Sequence, residues 1–124
     1  MLLDDLYTYL SGQGVFDGST WYCYKGYLPS SPDRVIQLAE SGGLSIDTHG
    51  GENTLPTFQA LVRGQRLKYE AARTKWQAVF NALNGSESAL GYAMVWAEAS
   101  APNVFYDENE RPILTVSFRV IKGA

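Results

Sequence analysis

The stretch PTFQALVRGQRLKYEAARTKWQAVFNALNG, residues 56–85, switches its hydrophobic period from two to about 3.6 residues at a single corner. In the first part Phe58, Ala60 and Val62 alternate with Thr57, Gln59, Leu61 and Arg63, which predicts a strand with one buried face. Beyond Arg63 and Gly64, a helix stripe of Tyr69, Ala72, Trp76, Val79, Phe80 and Leu83 leaves Lys68, Arg73, Lys75 and Gln77 largely outside it. Gly85 supplies the stop. No catalytic group stands at the corner, so its purpose is sought in shape.

Downstream, LGYAMVWAEAS sets Tyr92, Met94 and Trp96 against Ala93, Val95 and Ala97, a strand with a bulky and a small face that suits burial on two sides. RPILTVSFRVIKG alternates Leu114, Val116, Phe118 and Val120 with Thr115, Ser117 and Arg119, a strand with one wet face. Between them lies an acidic turn, DENE, at residues 107–110.

Upstream, Leu2, Leu3, Leu6, Tyr9 and Leu10 share a helical stripe, and Asp4 and Asp5 stand in the opening turn where the helix dipole favours negative charge. SGQG ends that helix. STWYCYKGYLP is rich in residues that suit a pleated surface, and Pro29 and Pro32 force a turn before RVIQLAES, so two strands are expected here. Residues 41–56, with four glycines, a proline and few large apolar side chains, are expected to form a long flexible loop that does not pack by itself.

The predicted order is helix, two strands, loop, strand, helix, strand, acidic turn, strand. Because Trp76, Phe80 and Leu83 need an apolar partner, the expected architecture is α+β: a mixed, mostly antiparallel sheet with two helices packed on one face. No repeat or linker divides the chain, and 124 residues bury roughly two thirds of the unfolded surface, enough for one domain without staples.

A formal net charge of −3, from ten Lys and Arg against thirteen Asp and Glu, gives no general electrostatic reason to hold nucleic acid. The single cysteine, Cys23, allows no intramolecular disulfide and fits a reducing compartment. MLLDDLYTYL carries two acids where a signal peptide needs bases, and no apolar run approaches the ~20 residues of a bilayer span. The expectation is a cytosolic protein without a membrane partner.

The chemically suggestive residues weigh little. His49 stands between Asp47 and Glu52, but Gly50 and Gly51 leave those side chains free to wander, whereas a metal site needs ligands fixed on rigid elements. Cys23, flanked by Tyr22 and Tyr24, reads as an inert strand residue. With one histidine and no G-x-S-x-G elbow, a nucleophilic triad is disfavoured. The glycines of SGQGVFDG follow a helix instead of a strand, and no G-K-[ST] occurs, so no nucleotide site is expected. The acids of DENE alternate on a hairpin tip instead of facing across a cleft. Neither a cofactor nor a metal is expected.

What remains points to contacts between proteins. Arg63, Arg66, Lys68, Arg73 and Lys75 gather near the strand end and the polar side of the second helix, either as an ordinary wet face or as a basic edge. In the second reading that edge meets Asp107, Glu108 and Glu110 of a neighbouring copy, setting register more than affinity. Sixteen aromatic residues (three Trp, eight Tyr and five Phe) exceed the evident needs of the core, and Tyr and Trp favour interfaces.

LPTFQALVRGQRLKYEAARTKWQAVFNALNG and ASAPNVFYDENERPILTVSFRVIKG together resemble the tail terminator proteins of long-tailed bacteriophages, also called tail completion or minor capsid proteins. Pro56, Gln59, Val62, Arg63 and Gly64 match that family's strand and corner, and Tyr106, Asp107, Arg111, Pro112, Phe118 and Arg119 match its closing turn and strand. The resemblance covers the second half well and the first half by element order. It implies a structural, non-enzymatic virion protein, assembled in the host cytoplasm into a ring, commonly a hexamer, at the tail-neck junction. Its partners would be further copies, the tail tube protein and a head completion or neck protein. Two alternatives stay open: another head-tail neck adaptor, and a small-molecule-binding or enzymatic α+β domain.

Overall fold

A computed structural model describes residues 2–40, 57–85 and 93–122. In chain order its elements are α1 (Leu2–Gly12), β1 (Tyr22–Lys25), β2 (Val35–Glu40), β3 (Thr57–Arg63), α2 (Tyr69–Leu83), β4 (Ala93–Ala97), β5 (Asn103–Tyr106) and β6 (Pro112–Lys122). The fold is α+β, as the hydrophobic periods predict. The strands run β1-β2-β3-β6-β4, with β5 beside β6 on the edge that β4 also uses. Only β1 and β2 pair in parallel; the other described pairs are antiparallel.

Both helices lie on the face that carries Ile36, Leu38, Phe58, Ala60, Val62, Leu114, Val116, Phe118 and Val120. Into it α1 presents Leu3, Leu6 and Leu10, and α2 presents Ala72, Trp76, Val79 and Leu83. Leu6, Leu10, Val79 and Leu83 are wholly buried, each burial contributing about 1.5–3 kcal/mol. At the centre the Phe58 and Phe118 rings stack at 5.2 Å, and Trp76 stacks on Phe80 at 5.1 Å. The helices are joined through Tyr9, whose hydroxyl donates to the Ala82 carbonyl at 3.0 Å.

The structure departs from the expected burial or order at four strands. β3 is buried on both faces: Thr57, Leu61 and Arg63, read as a wet row, are buried along with Phe58 and Val62. β6 likewise buries Ile113 and Thr115 together with Leu114 and Val116, leaving Ser117 and Arg119 half-buried. The cause is the connection between parallel β1 and β2, residues 26–34, which must return to the level where β1 began. It crosses the helix-free face, where Arg63 meets the carbonyls of Pro32 and Asp33. On β4 the roles of the two faces are unequal, because Val95 is buried in the core while Trp96 is 43% exposed.

The fourth is β5, absent from the predicted order. All four of its residues are exposed, so no alternation marks it, and only the β-prone Val104-Phe105-Tyr106 run signals a strand. The expected loop at 41–56, with Asp47, His49 and Glu52, lies outside the described residues, as does Tyr92.

Candidate assembly surface

The corner after β3 is set by a close approach. A Cβ on Gly64 would stand 2.8 Å from the Ala72 Cβ and 3.3 Å from both the Lys68 carbonyl oxygen and Pro112 Cγ. Only glycine lets α2 fold back this tightly. The Gly64 amide also donates to the Pro112 carbonyl at 3.0 Å, locking the corner to the start of β6.

Around that corner three connections form one rim. Arg63, 2% exposed, donates from Nε to the Asp33 carbonyl at 3.0 Å and from Nη2 to the Pro32 carbonyl at 2.6 Å. Arg111, 7% exposed, donates from Nε to Asp107 Oδ2 at 2.8 Å and from Nη1 to the Ser30 carbonyl at 2.6 Å and Asp33 Oδ1 at 3.2 Å. The two guanidinium groups thus hold the 30–33 segment against the 107–111 turn. Burial, then the neighbouring Arg111 charge, pushes Arg63 below its usual range, against the pull of Asp107 and Asp33; a guanidinium still remains charged at neutral pH. Burial opposes ionisation of Asp107, but the Arg111 amide and side chain and the Asn109 amide outweigh it and hold the carboxyl below its usual range.

The other charged residues singled out from the sequence divide into two groups. Arg66 pairs with Glu110 of its own chain at 3.2 Å, both largely exposed, and Lys68 and Glu108 are exposed nearby on the same rim. Arg73 and Lys75 brace the subunit: Arg73 stacks on the Trp76 ring at 4.7 Å and donates to Gln77, while Lys75 donates to the Val15 carbonyl at 2.8 Å and lies over the Trp21 ring at 5.4 Å. Burial lowers the Lys75 pKa. The structure therefore brings basic and acidic segments together at one corner of a single chain, with Arg63, Arg73 and Lys75 engaged internally. Sequence reasoning missed Arg111 and Asp33 as rim-forming groups; Arg111 beside Pro112, at the mouth of an apolar strand, was the available signal.

Chemistry elsewhere is sparse. Cys23 is half-buried on β1, and burial pushes its thiol up to about 12, in keeping with an inert residue. Among the described residues no group of three His, Cys, Asp or Glu side chains is placed to hold a metal ion. No helix among the described residues is long and apolar enough to cross a membrane. Large apolar side chains instead lie open at the sheet end: Val104, Phe105 and Tyr106 of β5 are 43%, 51% and 49% exposed, with Leu67 and Tyr69 exposed at the start of α2.

Residues 9–122 match the family model described as bacteriophage tail terminator protein. No curated protein matches the chain in sequence. Among solved structures, the fold is similar to a chain of the virion of a native gene transfer agent particle, with a TM-score of 0.70 and 19% identity, over 95% of this chain and 92% of that one. At that identity the likeness is one of fold.

Proposed function

Because the chain belongs to the bacteriophage tail terminator family, a family of tail structural proteins, we propose that copies of it close into a ring, a hexamer in the simplest case. The ring sits on the last layer of the tail tube, stops its growth and offers its other side to a head completion or neck protein. The observation that carries this reading is the family match over residues 9–122. In support, the strongest side-chain chemistry, the Arg63 and Arg111 clamps, is turned inward to stiffen a rim instead of outward to a substrate. The role is structural and not catalytic, the whole chain acts as one domain, and it works at the tail-neck junction after assembly in the host cytoplasm.

A closed ring is made by heterologous contacts, so each copy needs two different complementary surfaces. The exposed rim residues Arg66, Lys68, Glu108 and Glu110 belong to one of them. Since acid and base already meet there within the chain, the second surface must lie elsewhere.

Negative-stain imaging of the purified chain, at low and high concentration and with tail tubes added, tests the proposal. Rings at tube ends and tubes of fixed length are expected. Tubes that keep growing at saturating protein, with no rings on them, would overturn it.

A further inference from the structure

The two ends of the sheet are built to continue one another. Strand β1 ends it on one side, and on the other β5 shares the edge with β4, both along β6; β1 and β5 are each four residues long. β2 runs with β1, β3 against β2, β6 against β3 and β5 against β6, so β1 and β5 point in opposite directions. A copy placed beside this one by lateral displacement would set its β1 antiparallel to β5.

The rows of the sheet suggest a register. One row across the strands reads Tyr22, Val35, Arg63, Ile113, Phe105; the next reads Cys23, Ile36, Val62, Leu114, Val104; the third reads Tyr24, Gln37, Leu61, Thr115, Asn103. Joining equal rows carries these rows on from copy to copy: Phe105 to the neighbour's Tyr22, Val104 to Cys23, Asn103 to Tyr24. Side-chain faces then agree without a slip, which a shift of one residue would destroy.

Charge agrees with this placement. The acidic turn follows β5, and Arg34 precedes β2 at the level where β1 starts, its carbonyl accepting from the Tyr22 amide. Glu108 is exposed and Arg34 is half-buried, and neither has an ion-pair partner among the described residues. Antiparallel joining brings these two ends together. Moreover β5 has none of the Lys, Pro or bulge devices that keep an exposed edge strand single, and it carries three exposed large apolar side chains.

We infer that β5 of one copy adds to β1 of the next in register Phe105 to Tyr22, so that the sheet runs continuously around the assembly. This rests on the ring reading above and supplies its second surface. Main-chain bonds give the affinity, and the Phe105–Tyr22 aromatic pair and the Glu108–Arg34 charges fix the register.

The test is disulfide trapping in a Cys23→Ser background. Phe105→Cys combined with Tyr22→Cys should give a ladder of covalent oligomers on oxidation. Phe105→Cys combined with Tyr27→Cys, displaced from the proposed register at a residue 59% exposed, should give none. Hydrogen exchange on the unaltered chain guards against a misfolded variant: on assembly, amides of residues 22–25 and 103–106 should slow by roughly tenfold or more. Rings that form without the ladder, or with protection only in other segments, overturn the pairing and leave the ring intact. A chain that stays single at every concentration and on tail tubes overturns both.

Discussion

The Leu67 amide donates to the Glu110 carbonyl at 3.0 Å, and both residues hold left-handed backbone, with φ of 58° and 60°. Left-handed conformations cost an ordinary residue about 1 kcal/mol each, so the two loops hold one another in shapes neither favours. The exposed Arg66–Glu110 pair adds little to this. Glu110→Gly should therefore be nearly neutral, while Glu110→Val, β-branched at positive φ, should be about 1–2 kcal/mol less stable than the glycine variant. Urea midpoints of the two variants check this, and equal midpoints would contradict it.

At the corner, Gly64→Ala drives a methyl group into Ala72 and the backbone of Lys68. A cost of about 1–3 kcal/mol is expected from overpacking. Adding Ala72→Gly removes the partner methyl, and the double variant should be more stable than the sum of the single changes, despite the helix cost of a glycine of ~1 kcal/mol. A strictly additive cycle in thermal unfolding would show that α2 does not rest on this contact.

Asp107 neutralises the buried Arg111 and accepts two amides. Asp107→Ala should cost about 2–4 kcal/mol, because it leaves a buried guanidinium short of an acceptor. The sign with pH follows from its lowered folded pKa. Its contribution is complete above the unfolded value of 3.8 and is lost as pH falls through the folded value, so acid should destabilise the native chain more than the Asp107→Ala variant. Unfolding followed between neutral and strongly acidic pH measures the difference.

Arg66→Glu with Lys68→Glu should leave the isolated subunit within ~1 kcal/mol of the original, since Arg66 and Lys68 are exposed. Ring formation should weaken, and more so at low salt, where like charges at the rim are least screened. Sedimentation at two ionic strengths reads the effect; unchanged assembly would remove these residues from the contact surface.

The strand, corner and helix at 57–85 were legible because each side-chain period has one physical cause, and the Gly64 corner is where the two periods meet. The helix-free face was not legible. Thr57, Leu61, Arg63 and Thr115 alternate as a wet row would, and the burial of Arg63 depends on Pro32 and Asp33 carbonyls about thirty residues away. Local pattern carries no trace of such acceptors. β5 escaped for the opposite reason: a strand exposed on both faces has no alternation to read. The charged cluster was found from its place at the strand end and on the polar side of the helix, but only the fold separates Arg73 and Lys75, which brace aromatic rings, from Arg66 and Lys68, which face outward.

β6 spans eleven residues, paired with β3 along one border and with β4 and β5 along the other. Tension applied lengthwise to such a beam cannot open it rung by rung; many hydrogen bonds must shear at once. The subunit is accordingly stiffest along this strand and most easily peeled at β5, a short, wholly exposed strand tied to the sheet by a single ladder.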